Sequence, residues 1–263
     1  MDARYLYNFK FAGIVALSTL AACSSDVTGT NKQPVRLSFT TNVTGAAATG
    51  IRVSPDLSVG AAGDLILTKV QVVIGKIELN ENDATNCVAE IEATGDAHAH
   101  VGQECEDVSR DPVLVDIPVD AAVHSVINVP LAQGTYTKLE AKLEAARDNA
   151  TAFNTANPNL VGKSVRVEGT FKGTPFVFTS AVSAGLEMEF NPPLVIDATT
   201  MNATVTLDVA KWFLDGSGTV IDPNTATAGT SALQTIEDNI RRSFHAFEDN
   251  DESGVDDNTE HHG

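Results

Sequence analysis

Between Asp64 and Asn80 the apolar residues Leu65, Leu67, Val70, Val72, Ile74, Ile77 and Leu79 fall mostly at every second position. Side chains alternate across a strand, so this period builds one apolar face. The run predicts a long or bent strand, broken near Gly75. A strand of that length needs neighbours for its backbone N–H and C=O groups, and the rest of the chain offers them. Val35 to Thr40 alternates apolar with polar residues. Val113 to Ile117 and Val126 to Val129 read as short strands with prolines at their edges.

Thr135 to Arg147 is rich in good helix formers. Yet Leu139, Ala141, Leu143 and Ala145 alternate strictly with Lys138, Glu140, Lys142 and Glu144, and that period argues for a strand. Val165 to Phe171 and Thr174 to Thr179 form a hairpin pattern around Lys172 and Gly173. Leu186 to Phe190, Leu194 to Ile196 and Ala203 to Val209 complete the set. Short strands separated by turn residues, without alternating long helices, predict a mainly β chain folded as an antiparallel β-sandwich. Trp212 and Phe213 close this region as core anchors.

The pattern changes at Thr230. Thr230 or Ser231 can cap a helix running from Ala232 through Phe247, because Leu233, Ile236, Ile240, Phe244 and Phe247 recur at spacings of three and four. The expected architecture is therefore a sandwich body over residues 34–229, with one C-terminal α-helix and an acidic loop over 230–263.

The N-terminus has a different character. Arg4 and Lys10 precede an apolar run from Phe11 to Leu20, too short for a spanning helix, which needs about 20 residues. A basic start, a short apolar stretch and small residues at the exit have the layout of a secretory signal over residues 1–22. The exit, Leu20-Ala21-Ala22-Cys23, resembles the bacterial lipobox. That resemblance implies acylation (palmitate or a similar chain) at Cys23, which becomes the first mature residue. Ser24 in place of Asp implies sorting to the outer membrane. Residues 23–33 are small and polar, as suits a tether. A multiply acylated Cys is a stable anchor, whereas a single chain binds marginally.

Thirty-five acids against 17 Lys and Arg give a formal net charge of -18. Such a chain has no basic face for a phosphate backbone, which argues against nucleic acid as a partner. Besides Cys23 there are only Cys87 and Cys105. In an exported chain they most simply form one disulfide. A site of these thiols with His98 and His100 lacks the spacing of a zinc motif.

The acids concentrate at the C-terminus. Residues 248–260 hold Glu248, Asp249, Asp251, Glu252, Asp256, Asp257 and Glu260 with no Lys or Arg. Set against a twelve-residue calcium loop, Asp249, Asp251 and Ser253 take positions 1, 3 and 5. Gly254 takes the sharp bend at position 6, and Val255 offers its carbonyl at position 7. Asp257 takes position 9 and Glu260 is the bidentate ligand at position 12. Ca²⁺ prefers six to eight oxygens, and alternate residues of a tight loop can point theirs inward. The segment 231–260 resembles an EF-hand loop, or the half-EF-hand loops of exported bacterial proteins. It departs from them at position 8, where Asp256 replaces an aliphatic residue, in the register of Phe247, and in having no exiting helix before Gly263. These departures point to a weak site that adds order.

The whole chain resembles bacterial lipoproteins with a lipid anchor, a β-rich body and a short acidic C-terminal loop. Gly134 to Tyr136, Gly173 to Phe176 and Lys211 to Phe213 strengthen the likeness, which brings no activity with it. The resulting expectation is a membrane-anchored binding or structural module of the envelope, with a protein or glycan partner that no residue selects. An enzyme is not expected. A hydrolase would need a nucleophile, a His and an orienting acid, and His124 beside Ser125 is the one candidate in the body. A metal carrier would draw on His98, His100, His261 and His262.

Overall fold

A computed structural model describes residues 32–41, 56–60, 63–81, 105–109, 112–120, 122–200 and 202–257. The signal and most of the tether, with Cys23, Cys87, His98, His100, Glu260, His261 and His262, lie outside the described residues.

The strands are β1 (Lys32–Thr41), β2 (Leu57–Val59), β3 (Leu65–Glu81), β4 (Cys105–Ser109), β5 (Val113–Ile117), β6 (His124–Ala132) and β7 (Gly134–Leu143). A short helix α1 (Thr151–Ala156) follows. Then come β8 (Val165–Phe171), β9 (Thr174–Ser180), β10 (Ala184–Ile196) and β11 (Asn202–Leu207). Helices α2 (Val209–Trp212) and α3 (Ser231–Arg241) lead to the last strand, β12 (Phe244–Glu248). The protein is mainly β, two sheets packed as a sandwich.

The larger sheet is organised on β3, as the long alternating run predicts. Its first half pairs with β2, β5 and β8, and its second half with β4 and β7, all antiparallel. The register shifts between Ile74 and Lys76, where the break at Gly75 is expected. Strands β9 and β10 extend this sheet beyond β8 and β7. The β8–β9 turn has φ of 50° at Lys172 and 79° at Gly173. Positive φ at both central residues matches the right-handed twist of the flanking strands. Residues 184–196 form one strand rather than two, with an irregularity between Glu189 and Leu194 and a cis Asn191–Pro192 bond.

The smaller sheet has the order β12-β11-β1-β6. Here β1 and β11 run parallel, pairing Arg36 with Asn202 and Thr40 with Thr206. The seam between the sheets is lined by apolar side chains, among them Leu37, Phe39, Ile77, Leu139, Met188 and Phe244. Trp212 and Phe213 are fully buried. The Phe213 ring meets Phe178 edge-on at 5.4 Å between centroids, so both residues are the core anchors expected of them.

The C-terminal helix is shorter than its periodicity predicts. Thr230 caps it by accepting the N–H of Leu233, and Ile236 and Ile240 are buried. It stops at Arg241, and Phe244 and Phe247 belong to β12 instead of a helical face. His245 accordingly lies on a strand. Two causes act together. The Ser243 hydroxyl donates to the Ile240 carbonyl at 2.8 Å and accepts the Trp212 indole N–H at 2.8 Å, which ends the helix in the core. The open edge of β11 then pairs with residues 244–248, and Phe244 drops into the sandwich. Backbone pairing along a sheet edge outweighs the weak preference of five residues to remain helical.

Candidate metal site in the C-terminal loop

Strand β12 delivers the acidic loop onto the outer face of the smaller sheet. In β1 and β11 the residues Leu37, Phe39, Ala203 and Val205 face the core. Their alternates Ser38, Thr40, Asn202 and Thr204 therefore face away from it, yet these four are 0–3% exposed. The loop covers them. Gly254 comes to rest on Thr40 and on Val123, and Glu252 pairs with Arg36 of β1.

Asp249 sits at the centre and is fully buried. Its Oδ2 accepts the Thr204 hydroxyl at 2.7 Å and the Gly254 N–H at 3.1 Å, while Oδ1 accepts the Ser253 N–H at 2.8 Å. The first residue of the loop thus gathers the fifth and sixth around its own carboxylate. Gly254 has φ of 79°, in the left-handed region where a Cβ is costly, so the bend falls on the glycine. Asp251 accepts the same Ser253 N–H at 3.0 Å, and Asp257 accepts the Asn250 N–H at 2.8 Å.

These bonds bring together Asp249, Asp251 and Asp257, whose ligand oxygens all lie within 4.8 Å of one another. Three converging carboxylates are hard donors suited to a divalent cation. Ser253 stands between Asp249 and Asp251, with its hydroxyl bonded to Asp251 and accepting the Val255 N–H. Val255 follows on the exposed side of the loop.

The charge balance also fits a cation. Burial pushes the Asp249 carboxyl above its usual range, even though three donors oppose the shift. Glu248 is raised as well, first by burial and then by repulsion from Asp257, Asp197 and Asp256. Asp251, out in solvent, is held below the usual range, chiefly by the Ser253 hydroxyl. At both inner carboxylates burial outweighs the hydrogen bonds, so the ionised forms are disfavoured.

The periodicity predicts a helix leading into position 1, and strand β12 leads into it instead. The loop therefore leaves a sheet edge rather than a helix, and helical backbone begins at Asp257, the last described residue, where the sequence predicts no exiting helix. Ser38, Asn202 and Thr204 belong to the site without any signal in the local sequence. They are polar residues on alternating strand positions, the pattern of a solvated face. Nothing local in those strands signals that a segment from the other end of the chain covers them.

Two further candidates fall among the described residues. Cys105 opens β4, opposite Asn80 of β3. His124 opens β6 opposite Phe39 and is exposed.

No protein-family model matches the chain, and no curated protein matches it in sequence. Among solved structures the chain is similar to MbnP from Methylosinus trichosporium, at 13% identity over 78% of this chain and 87% of that one, with a TM-score of 0.41.

Proposed function

We propose that this chain is an exported, lipid-anchored protein of the bacterial envelope, sorted to the outer membrane, whose β body is a non-catalytic binding or structural module and whose C-terminal loop holds one Ca²⁺. The observation that carries the metal part is the convergence of Asp249, Asp251 and Asp257 around a buried carboxylate. The ligands are Asp249, Asp251, Ser253, Asp257 and Glu260 through side-chain oxygens, and Val255 through its carbonyl. An all-oxygen set of carboxylates, a hydroxyl and a carbonyl favours Ca²⁺ over Zn²⁺, which prefers nitrogen and sulfur, and over Mg²⁺, which demands a tight octahedron. Affinity is modest, about 10⁻⁴ to 10⁻³ M, the range of extracellular modules.

Calorimetric titration with calcium and with zinc tests the site. Heat with calcium at millimolar concentration, weakened most by Glu260→Gln, supports it. No heat and no change in the loop reduce the segment to an acidic closure. The anchor rests on the lipobox-like exit at Cys23, and Cys23→Ala should abolish incorporation of labelled fatty acid. Unchanged labelling of that variant would remove the lipid from the proposal.

A further inference from the structure

We propose that residues 249–257 are a preassembled clasp, locked onto the outer face of the smaller sheet by Asn202 and Thr204 before any cation binds. A loop merely draped over a strand face would leave water to satisfy the polar groups beneath it. Here the polar groups satisfy one another. The Ser38 hydroxyl donates to Asn202 Oδ1 at 2.6 Å. Asn202 Nδ2 donates to Thr204 Oγ1 at 2.9 Å and to the Asp249 carbonyl at 2.8 Å. Thr204 then donates to Asp249 Oδ2. Ser38, Asn202, Thr204 and Asp249 are each 0% exposed, so every bond in this chain is made away from solvent. Buried polar networks are stable only when their members are matched, and loss of one partner leaves the next orphaned.

The bolt is Asp249, and β11 holds it. Asn202 fixes its backbone and Thr204 its carboxylate. The carboxylate in turn fixes the N–H groups of Ser253 and Gly254, which seats Gly254 on Thr40 and Val123. Arg36 adds the ion pair with Glu252 at the near end of the loop. Asn202 and Thr204 are positioning residues in this arrangement. They belong to the closure of the β12 edge, and they set the shape that a cation would then find. The clasp does not depend on the calcium reading.

Hydrogen exchange of the full-length chain in excess EDTA tests this directly. The Ser253 and Gly254 amides should be protected without calcium. Thr204→Val keeps the shape of the side chain and removes the donor, and it should speed their exchange about tenfold or more. Thr204→Ser should restore wild-type exchange. Free-peptide exchange of both amides in wild-type protein under EDTA overturns the clasp, and that readout decides even if Thr204→Val folds poorly. Equal exchange in wild type and a folded Thr204→Val also overturns it. Protection in EDTA that added calcium leaves unchanged supports the clasp, while the calcium reading alone fails.

Discussion

Two loops of this molecule share a local grammar and differ in what surrounds it. In the loop after α2, Asp215 accepts the Ser217 N–H at 2.8 Å, the Ser217 hydroxyl at 2.7 Å and the Thr219 N–H at 2.9 Å. In the loop after β12, Asp251 and Asp249 receive Ser253 and Gly254 in much the same way. Each sequence reads Asp-x-Ser-Gly, at Asp215 to Gly218 and at Asp251 to Gly254. The first loop is exposed, and its carboxyl is held below the usual range, foremost by the Ser217 hydroxyl. The second roofs a sheet, and its central carboxyl is raised by burial. The same turn chemistry completes itself in water. Asp251, the counterpart of Asp215, is likewise held below the usual range by its serine hydroxyl; the difference lies in Asp249, two residues earlier and buried against the sheet, which the second loop adds to that turn.

Removing each aspartate in turn separates the two loops. Asp249→Ala strips the partner from the buried Thr204 hydroxyl and from the Gly254 N–H, and leaves the Ser253 N–H to Asp251 alone. It should cost about 2–4 kcal/mol of unfolding free energy, since each orphaned donor costs about 1–3 kcal/mol and water can enter the vacated space to recover part of it. Asp215→Ala removes as many bonds, but solvent takes them over at once, and its midpoint in denaturant should scarcely move. Chemical denaturation of the two variants reads this. Equal shifts would mean that burial under the clasp carries no special weight.

Much of the β body is legible in the sequence. The period-two runs of β3, β7, β8 and β9 are visible because each strand has one apolar face and one polar face, and period is a local property. Trp212 and Phe213 are visible as core for the same reason, since large apolar side chains have one favourable place to go. Strand β12 is not visible. Ile236, Ile240 and Phe244 are spaced four apart, which a helix satisfies, while Phe244, Ala246 and Glu248 also fit a strand. The tie is broken by the open edge of β11, about 40 residues earlier in the chain. The acidic loop is legible as a set of ligand types at loop spacing. Its dependence on Ser38, Asn202 and Thr204 is not, because that dependence exists only once β1 and β11 lie side by side in parallel.

A divalent cation should also tell the two loops apart. Calcium should raise the thermal midpoint of the wild type in a concentration-dependent way, as mass action requires. Asp257→Asn removes one converging carboxylate from the cluster while keeping an acceptor for the Asn250 N–H. It should weaken calcium binding about tenfold, or roughly 1.4 kcal/mol. Asp256→Ala should change affinity much less, because Asp256 lies outside the three converging oxygens. Asp215→Asn should leave calcium binding unaltered. Calorimetry on the three variants gives the order directly. An Asp256→Ala loss equal to that of Asp257→Asn would place the ion nearer Asp256 than the cluster predicts.

The smallest effect is in the titration of the two aspartates, and its sign differs between them. Asp215 has a folded pKa below its unfolded value, so it contributes stability that is full above the ordinary carboxylate range and is lost as pH falls through the folded value. Asp249 has a folded pKa above its unfolded value. Between those two values the folded state binds the extra proton, so stability declines as pH rises through that window, and the ionised form is the disfavoured one. In EDTA, a fall from neutral pH into the raised carboxylate range should therefore slow exchange at Ser253 and Gly254 slightly, while exchange at Ser217 and Thr219 should not slow beyond its ordinary pH dependence. Calcium should abolish the effect at Ser253 and Gly254, because a bound cation stabilises the ionised carboxylate and draws its pKa back down. Carbon-detected titration of the aspartate carboxyls supplies the check. An Asp249 midpoint at or below that of Asp215 in EDTA would mean that its three hydrogen bonds outweigh its burial, and the loop would then have no electrostatic need of a metal.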